Sequence, residues 1–375
     1  MGATTEKSVF PEKISPFLKE KMAALCAGGG AASADYRALY LQYVKQAAED
    51  AVALEDNERH WEANVDVEMD GHRVKGVERL YRHSLVIEPT LVCASHCRYC
   101  LRAHYGMFTL SEDELKQAAL FCGSKLVRDE LREVLITGGD PLILPQRLGY
   151  LVDALMKYAP NVKTMRIATR LLSHDPRRID NNIFEIFKHK PGIRFELATQ
   201  INHPVELFPE TIEKIVDISA LGVKIYSQNV LLKGVNDDVE TLAALYDRLR
   251  ELHVEAHYLF HCLPMKGMHH LRPSLGKGIE LVKRLLNSGR ISGRIKPMFA
   301  AMTDIGKITL YEGTVLARKD NKVLLQSHYS YADRLRWNPN WKLPKTAAVD
   351  ENGLLRMWYL DGSDDAASSR EIPHA

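Results

Sequence analysis

The sequence predicts an α/β fold, a partial (β/α)6 TIM-like barrel with an N-terminal helical extension and a C-terminal β-rich extension. Two observations carry this. From residue 84 onward, short apolar runs alternate with longer amphipathic ones, in six repeats of roughly 30 to 40 residues. That is the pattern of parallel strands joined by helical crossovers. Polar motifs also recur at the end of nearly every run, which suits a barrel better than an open sheet, because reactive side chains collect on the rim at the strands' C-terminal ends.

Residues 1–75 read as helical and polar, broken by the glycine segment Ala27-Gly-Gly-Gly-Ala-Ala-Ser33. The barrel is expected over 76–295, with strands at 84–92, 133–137, 164–168, 194–198, 224–232 and 256–261. Its first helix opens at a capping box, Ser111-Glu-Asp-Glu114, and others follow near 146–158, 176–188, 209–220, 238–252 and 276–287. Beyond about residue 295 the alternation stops. Residues 296–361 read as β-rich, with hairpins at Lys319-Asp-Asn-Lys322 and Asp350-Glu-Asn-Gly353, and 362–375 as a disordered tail.

The 375 residues are 46% hydrophobic and 26% charged with net charge +2, and no Lys/Arg block stands out, so nucleic acid is not an expected partner. No apolar run reaches membrane-spanning length, and the start, Met1-Gly-Ala-Thr-Thr-Glu6, lacks a signal peptide's apolar stretch. Cys26, Cys122 and Cys262 are scattered, which is no disulfide framework.

The other three cysteines are the most informative feature. Cys93, Cys97 and Cys100 form a C-x3-C-x2-C run directly after the first barrel strand. Three thiolates on one loop hold a cubic iron–sulfur cluster by three corners and leave one iron open for a ligand, whereas four would close it for electron transfer. A structural zinc would need a fourth ligand; His96 and His104 are near, but no second C-x2-C exists. A cluster with an open iron is oxygen-sensitive, so a reducing cytoplasmic location is expected.

Cysteines so placed resemble those of the radical S-adenosylmethionine (SAM) enzymes, and from about residue 76 to 330 the chain resembles the lysine 2,3-aminomutase branch. The resemblance implies a [4Fe–4S] cluster on Cys93, Cys97 and Cys100, which cleaves SAM to a 5′-deoxyadenosyl radical. It places Tyr99 beside the adenine and the methionine portion at Thr137-Gly138-Gly139-Asp140. The glycines there permit close approach of a ligand to backbone N–H groups. Arg170, Gln200 and His203, each at a strand end, are implied as further SAM contacts, Gln228 as a contact to a cofactor phosphate, and Arg102 as the grip on an amino acid's α-carboxylate. The branch also uses pyridoxal 5′-phosphate, bound as a Schiff base to a lysine beyond the barrel, because a 1,2 shift of nitrogen needs an imine. Lys307, in Asp304-Ile-Gly306-Lys307, falls at that position; an ordinary lysine opening a strand is the alternative. A flavodoxin or ferredoxin as electron donor and a homo-oligomeric state are implied in the same way.

The chain departs from the branch at three places. Ser84 stands where the family has an arginine for the cofactor phosphate, with Arg79 and Arg82 close by in sequence. The family's glycine-rich approach to its lysine is reduced to Gly306. Leu263 and Ala300 or Ala301 replace the aspartates that hold lysine's distant ammonium, which would be costly to bury against aliphatic side chains. An amino acid other than lysine is the expected substrate. Leu263 suits a neutral side chain, while Lys266 and His269-His270 leave an acidic one open. Two other functions compete: a radical SAM enzyme without pyridoxal phosphate that catalyses elimination or epimerisation, and a non-enzymatic electron carrier or sensor. Trp337-Asn-Pro-Asn-Trp341 is read as packing of the C-terminal segment or a subunit contact.

Overall fold

The computed structural model describes residues 11–50, 66–104, 106–311 and 313–364; the reading of the chain's start and most of that of its tail lie outside them. Helix α1 (Pro16–Gly29) begins where Ser15 accepts from Leu18 N at 3.1 Å with Pro16 in the first turn, and it ends in the glycine run. Ser33 starts α2 (Ala34–Tyr43) in the same manner. The helical reading of the first 75 residues fails at β1 (Asp66–Met69) and β2 (His72–Glu78), an antiparallel hairpin. Its two-residue turn is Asp70-Gly71, both at positive φ, a strong hairpin signal that outweighs the polar composition around it.

The barrel follows: β3 (Ser84–Thr90), α3 (Glu112–Cys122), β4 (Glu133–Gly138), α4 (Pro145–Tyr158), β5 (Thr164–Thr169), α5 (Leu171–His174), α6 (Asn181–Phe187), β6 (Arg194–Thr199), α7 (Pro209–Ala220), β7 (Lys224–Leu231), α8 (Val239–Glu251), β8 (Glu255–His261), α9 (Leu275–Leu286), β9 (Met298–Thr303) and β10 (Gly306–Thr309). These strands form one sheet in the order β1 to β10. β3 through β9 run parallel, and β10 turns back antiparallel on β9. The parallel run therefore continues past residue 295 by a seventh strand. Met298-Phe-Ala-Ala-Met-Thr303 is short and alanine-rich, a weak strand signal that pairing with β8 overrides.

A second, antiparallel sheet, ordered β11 (Val315–Lys319), β12 (Lys322–Ser330), β14 (Leu354–Leu360) and β13 (Ala347–Val349), has α10 (Tyr331–Trp337) between β12 and β13. Its hairpins fall at the two expected turns. Residues 362–364, expected to be disordered, are docked: Gly362 lies against the Pro273 backbone, and Asp364 accepts from Ser274 N at 2.8 Å at the start of α9. No helix among the described residues is long and apolar enough to cross a membrane.

Two apolar clusters organise the molecule. One lies between the sheet and its helices. In the other, Phe17, Leu18, Leu39 and Tyr43 of the N-terminal helices pack on Tyr99, Phe208 and Leu271, so these helices cap the rim that carries the cysteine loop. The cap also grips that loop: Arg98 N donates to Gln42 O at 2.8 Å, and the buried Arg98 guanidinium pairs with the buried Glu49, Nε to Oε1 at 3.0 Å. Glu49→Ala would take from the buried Arg98 guanidinium its buried carboxylate, with an expected loss of about 3 kcal/mol of unfolding free energy. Denaturant titration checks this; an unchanged midpoint would show that the cap does not hold the loop.

Candidate active site

The three cysteines and Lys307 line one cavity of about 630 Å³ inside the barrel. Its wall is built on strand alternation: Glu133, Leu135 and Thr137 on β4, Arg166 and Ala168 on β5, Gln228 and Val230 on β7. On β8 the alternation is reset. Ser227 pairs with Ala256 but Gln228 pairs with Tyr258, so His257 is an extra, bulged residue, and Tyr258 and Phe260 turn inward.

At the rim, the glycine pair serves the backbone. Gly139 N donates to Thr90 O at 2.7 Å and Asp140 N to Val92 O at 2.9 Å, so these N–H groups are spent inside the protein rather than offered to a ligand. A Cβ at Gly138 or Gly139 would collide with the Thr90 to Val92 backbone that leads into Cys93. Asp140 is buried and accepts from Thr169 Oγ1 at 2.8 Å, Arg170 N at 2.9 Å and Leu142 N at 3.1 Å. Burial pushes its carboxyl up to about 6, against these donors. Its visible role is to fix the start of the turn that carries Arg170.

Arg170 is saturated. Its Nε donates to Gln200 O at 3.1 Å, Nη1 to Cys97 Sγ at 2.9 Å and to the Tyr99 hydroxyl, and Nη2 to Glu206 at 2.6 Å and Gln42 at 3.5 Å. That accounts for all five donors of a guanidinium. The Tyr99 hydroxyl is likewise engaged by Gln42 and by Asn202 Nδ2 at 2.6 Å, so Tyr99 offers the cavity its ring. Gln200 and Gln228 line the cavity; His203 does not, because its Nδ1 accepts from Val205 N at 3.2 Å and caps a short 3-10 turn. Arg102 lines the cavity between two carboxylates, Glu78 at 3.1 Å and Glu88. Burial raises the Glu88 carboxyl to about 7, opposed by Arg102.

Lys307 Nζ sits 4.1 Å from the centroid of Tyr258, 5.8 Å from Tyr81 and 5.9 Å from Phe260. Burial, then Arg166, brings its amine down to about 8. Its backbone is clamped: Lys307 N donates to Tyr81 Oη at 3.1 Å, and Tyr329 Oη donates to Lys307 O. Beneath it the buried Arg334 donates to Ile305 O and to Leu80 O, joining the β9–β10 turn to the loop before β3 and so bridging the two edges of the split barrel. Gly306, at φ +111°, is required there, since a Cβ would stand 2.6 Å from Arg334 Nη2.

Other sequence candidates lie elsewhere. Arg79 is buried and donates to Trp337 O at 3.2 Å and to Glu130, and Arg82 also pairs with Glu130; neither lines the cavity. Nor do Lys266, His269 and His270. Ser84 and Leu263 do line it. The tryptophan loop packs inward: Trp337 Nε1 donates to Leu80 O at 3.2 Å, and Trp341 is buried in the main core. Sequence reasoning missed His174, whose Nε2 lies 3.4 Å from Cys97 Sγ. Its place four residues after Arg170, on the turn leaving β5, was the available signal.

No family model matches the sequence. A protein of Aquifex aeolicus (strain VF5) described as a putative L-lysine 2,3-aminomutase is 33% identical over 263 residues, covering 68% of each chain. The L-lysine 2,3-aminomutase of Clostridium subterminale is 27% identical over 274 residues, 71% of this chain and 64% of that one. The glutamate 2,3-aminomutase of Clostridioides difficile (strain 630) is 30% identical over 257 residues, 67% of this chain and 59% of that one.

The chain belongs to the lysine 2,3-aminomutase family.

It is accordingly a radical SAM enzyme of the aminomutase type, and membership of the lysine 2,3-aminomutase family implies a [4Fe–4S] cluster and SAM. The donor set fits the cluster. Three soft sulfur ligands face one cavity. A cubane takes each sulfur on a different iron, which three cysteines on one short loop can supply. At the cavity's other end, an amine at about 8 is half neutral near pH 8, where an ordinary lysine is almost wholly charged. Competitive acetylation should therefore label Lys307 with a midpoint near pH 8, and Arg166→Gln, which removes a repelling charge, should move it upward. A midpoint at the ordinary lysine value would refute the burial argument.

Proposed function

We propose that this enzyme moves an amino group between C2 and C3 of an amino acid other than lysine, with pyridoxal 5′-phosphate carried on Lys307. The observation that carries the proposal is the shared cavity: the cysteines and a partly neutral, aromatic-walled lysine amine face the same enclosed space. When bound, the cluster with SAM would supply a radical that takes hydrogen from substrate, and pyridoxal phosphate would supply a conjugated carbonyl that condenses with the amino group, so that its nitrogen can shift between two substrate carbons. The single electron for the cluster comes from a flavodoxin or ferredoxin.

The chain's own residues then have separable tasks. Tyr99, Gly138, Gly139 and Gln200 flank the SAM side of the cavity, while Arg170 holds Tyr99 and Cys97 in place. Lys307 would hold the cofactor's aldehyde, with Tyr258 and Phe260, which stand over its amine, and Ser84 and Gln228 on the same cavity wall available to its ring and its phosphate. Arg102 meets the substrate α-carboxylate. The carboxylates lining the cavity among the described residues are Glu78, paired with Arg102, Glu133, paired with Arg166 at 3.3 Å, and Asp140, sealed by its donors. A distant ammonium finds no spare partner, and Leu263 favours a neutral side chain.

One observation favours a second reading, a radical SAM reaction without pyridoxal phosphate. Among the described residues the arginines lining the cavity, Arg102, Arg166 and Arg170, are each paired with glutamate, and the residues assigned to the phosphate, Ser84 and Gln228, are neutral. Borohydride reduction after incubation with pyridoxal phosphate separates the two. The first reading expects a reduced adduct on Lys307 that is absent from Lys307→Ala, and turnover of neutral amino acids in preference to lysine. With an intact cluster and no adduct, the second reading stands and the first is lost.

Glu88 adds a pH dependence. Above pH 7 its ionised carboxyl competes with the substrate carboxylate for Arg102; below it the competitor is protonated. KM for the amino acid should rise above pH 7 in the wild type and stay flat in Glu88→Gln. Identical profiles would remove Arg102 from substrate binding.

A further inference from the structure

We propose that His174 is a positioning residue for the cluster, whose ring N–H donates to the sulfur of Cys97 beside Arg170 and so raises the potential at which the cluster accepts its electron. The proposal depends on the cysteine loop and is independent of Lys307 and of the substrate.

Two nitrogens face one sulfur: Arg170 Nη1, a donor, at 2.9 Å and His174 Nε2 at 3.4 Å. Both come from one turn. His174 N donates to Arg170 O at 2.7 Å, and Asp140 fixes the start of that turn through Arg170 N. The imidazole has little freedom. It is 1% exposed, its ring stands edge-on to Tyr43 at 5.5 Å, and its carbonyl accepts from the hydroxyl of Ser15, which is also the N-cap of α1.

A cysteine bound to iron has lost its thiol proton, so its sulfur only accepts. His174 must then carry its proton on Nε2, which makes Nδ1 an acceptor. Nδ1 is buried and has no hydrogen-bond partner among the described residues. Of its two ring nitrogens, the one with a partner among the described residues is Nε2, at Cys97. The orientation is explained by what Nε2 gains at Cys97.

Reduction adds one electron to the cluster, supplied by an external low-potential one-electron donor, and makes or breaks no bond. N–H donation to a ligating sulfur stabilises the more negative, reduced form and raises the potential. Arg170 contributes in the same sense, but its charge is countered by the fully buried Glu206 at 2.6 Å, and its removal would disturb Tyr99 and Gln200 as well. His174 is the contribution that can be isolated.

The test is an EPR-monitored redox titration of the anaerobically reconstituted full-length enzyme without SAM, with titanium(III) citrate as reductant. His174→Phe keeps a ring of similar size and removes the donor. It should lower the reduced-to-oxidised ratio at a fixed potential about tenfold, a shift of about 59 mV to more negative values for one electron. His174→Gln retains an N–H and should titrate close to the wild type. Normal iron and sulfide content in His174→Phe with an unshifted midpoint would overturn the proposal, as would equal shifts in the two variants, which would make ring packing the cause. If His174→Phe fails to hold a cluster, wild-type protein labelled with 15N-histidine decides: pulsed EPR of the reduced cluster should show a 15N coupling, and its absence would overturn the assignment.

Discussion

The ion pair of Arg170 with Glu206 is the constraint on which the rest of the rim depends. Glu206 is fully buried, and besides Arg170 it accepts from Asn202 N at 2.8 Å, His203 N at 3.0 Å and Gln42 Nε2 at 3.2 Å. Arg170 reaches the cysteine loop, Tyr99 and the end of β6 from the other side. The N-terminal cap, two strand ends and the cysteine loop are thus joined through one buried pair. A buried pair of this kind contributes little net stability, but losing one partner strands a charge in the interior. Its consequence is register: the cysteine sulfurs stay where three separate segments agree that they should be.

A second constraint follows from the cavity. A barrel with a hollow interior loses the packing that normally holds its strands together. Here the missing core is replaced at both ends. At the rim, the N-terminal helices close the space with Phe17, Leu18, Leu39 and Tyr43. At the other end, Arg334 ties the β9–β10 turn to the loop before β3, and Tyr81 and Tyr329 hold the Lys307 backbone. The C-terminal segment, including the tryptophan loop, is therefore part of what keeps the barrel's two edges together around the lysine.

The two ends also differ in how charge is handled. Near the cysteines, Arg170 and His174 direct donors at sulfur, and Gly139 and Asp140 spend their N–H groups on neighbouring backbone. Near Lys307, aromatic rings surround an amine with its charge weakened by burial and by Arg166. One end is arranged to stabilise negative charge on a ligand atom, and the other to withhold positive charge from a nucleophile.

Much of this was legible in the sequence. The C-x3-C-x2-C spacing announces its chemistry because three ligands on one short loop need little help from the fold, and the period of apolar runs located six of the seven parallel strands. The strand-end motifs were found, but not what each residue touches. Arg170 and His203 were expected to face SAM; tertiary packing spends the first on Cys97, Tyr99 and Glu206 and the second on a cap. Arg102 acquires two carboxylate partners, and Arg79 and Arg82 turn toward Glu130, because partners distant in the chain compete for each guanidinium. Arg334 carried no motif at all, and His174 only its place four residues after Arg170. Local sequence determines which groups a segment can offer, through spacing and periodicity. Only the fold decides which offers are taken up, because a donor's hydrogen-bonding capacity is finite and its nearest acceptor lies on another element of the chain.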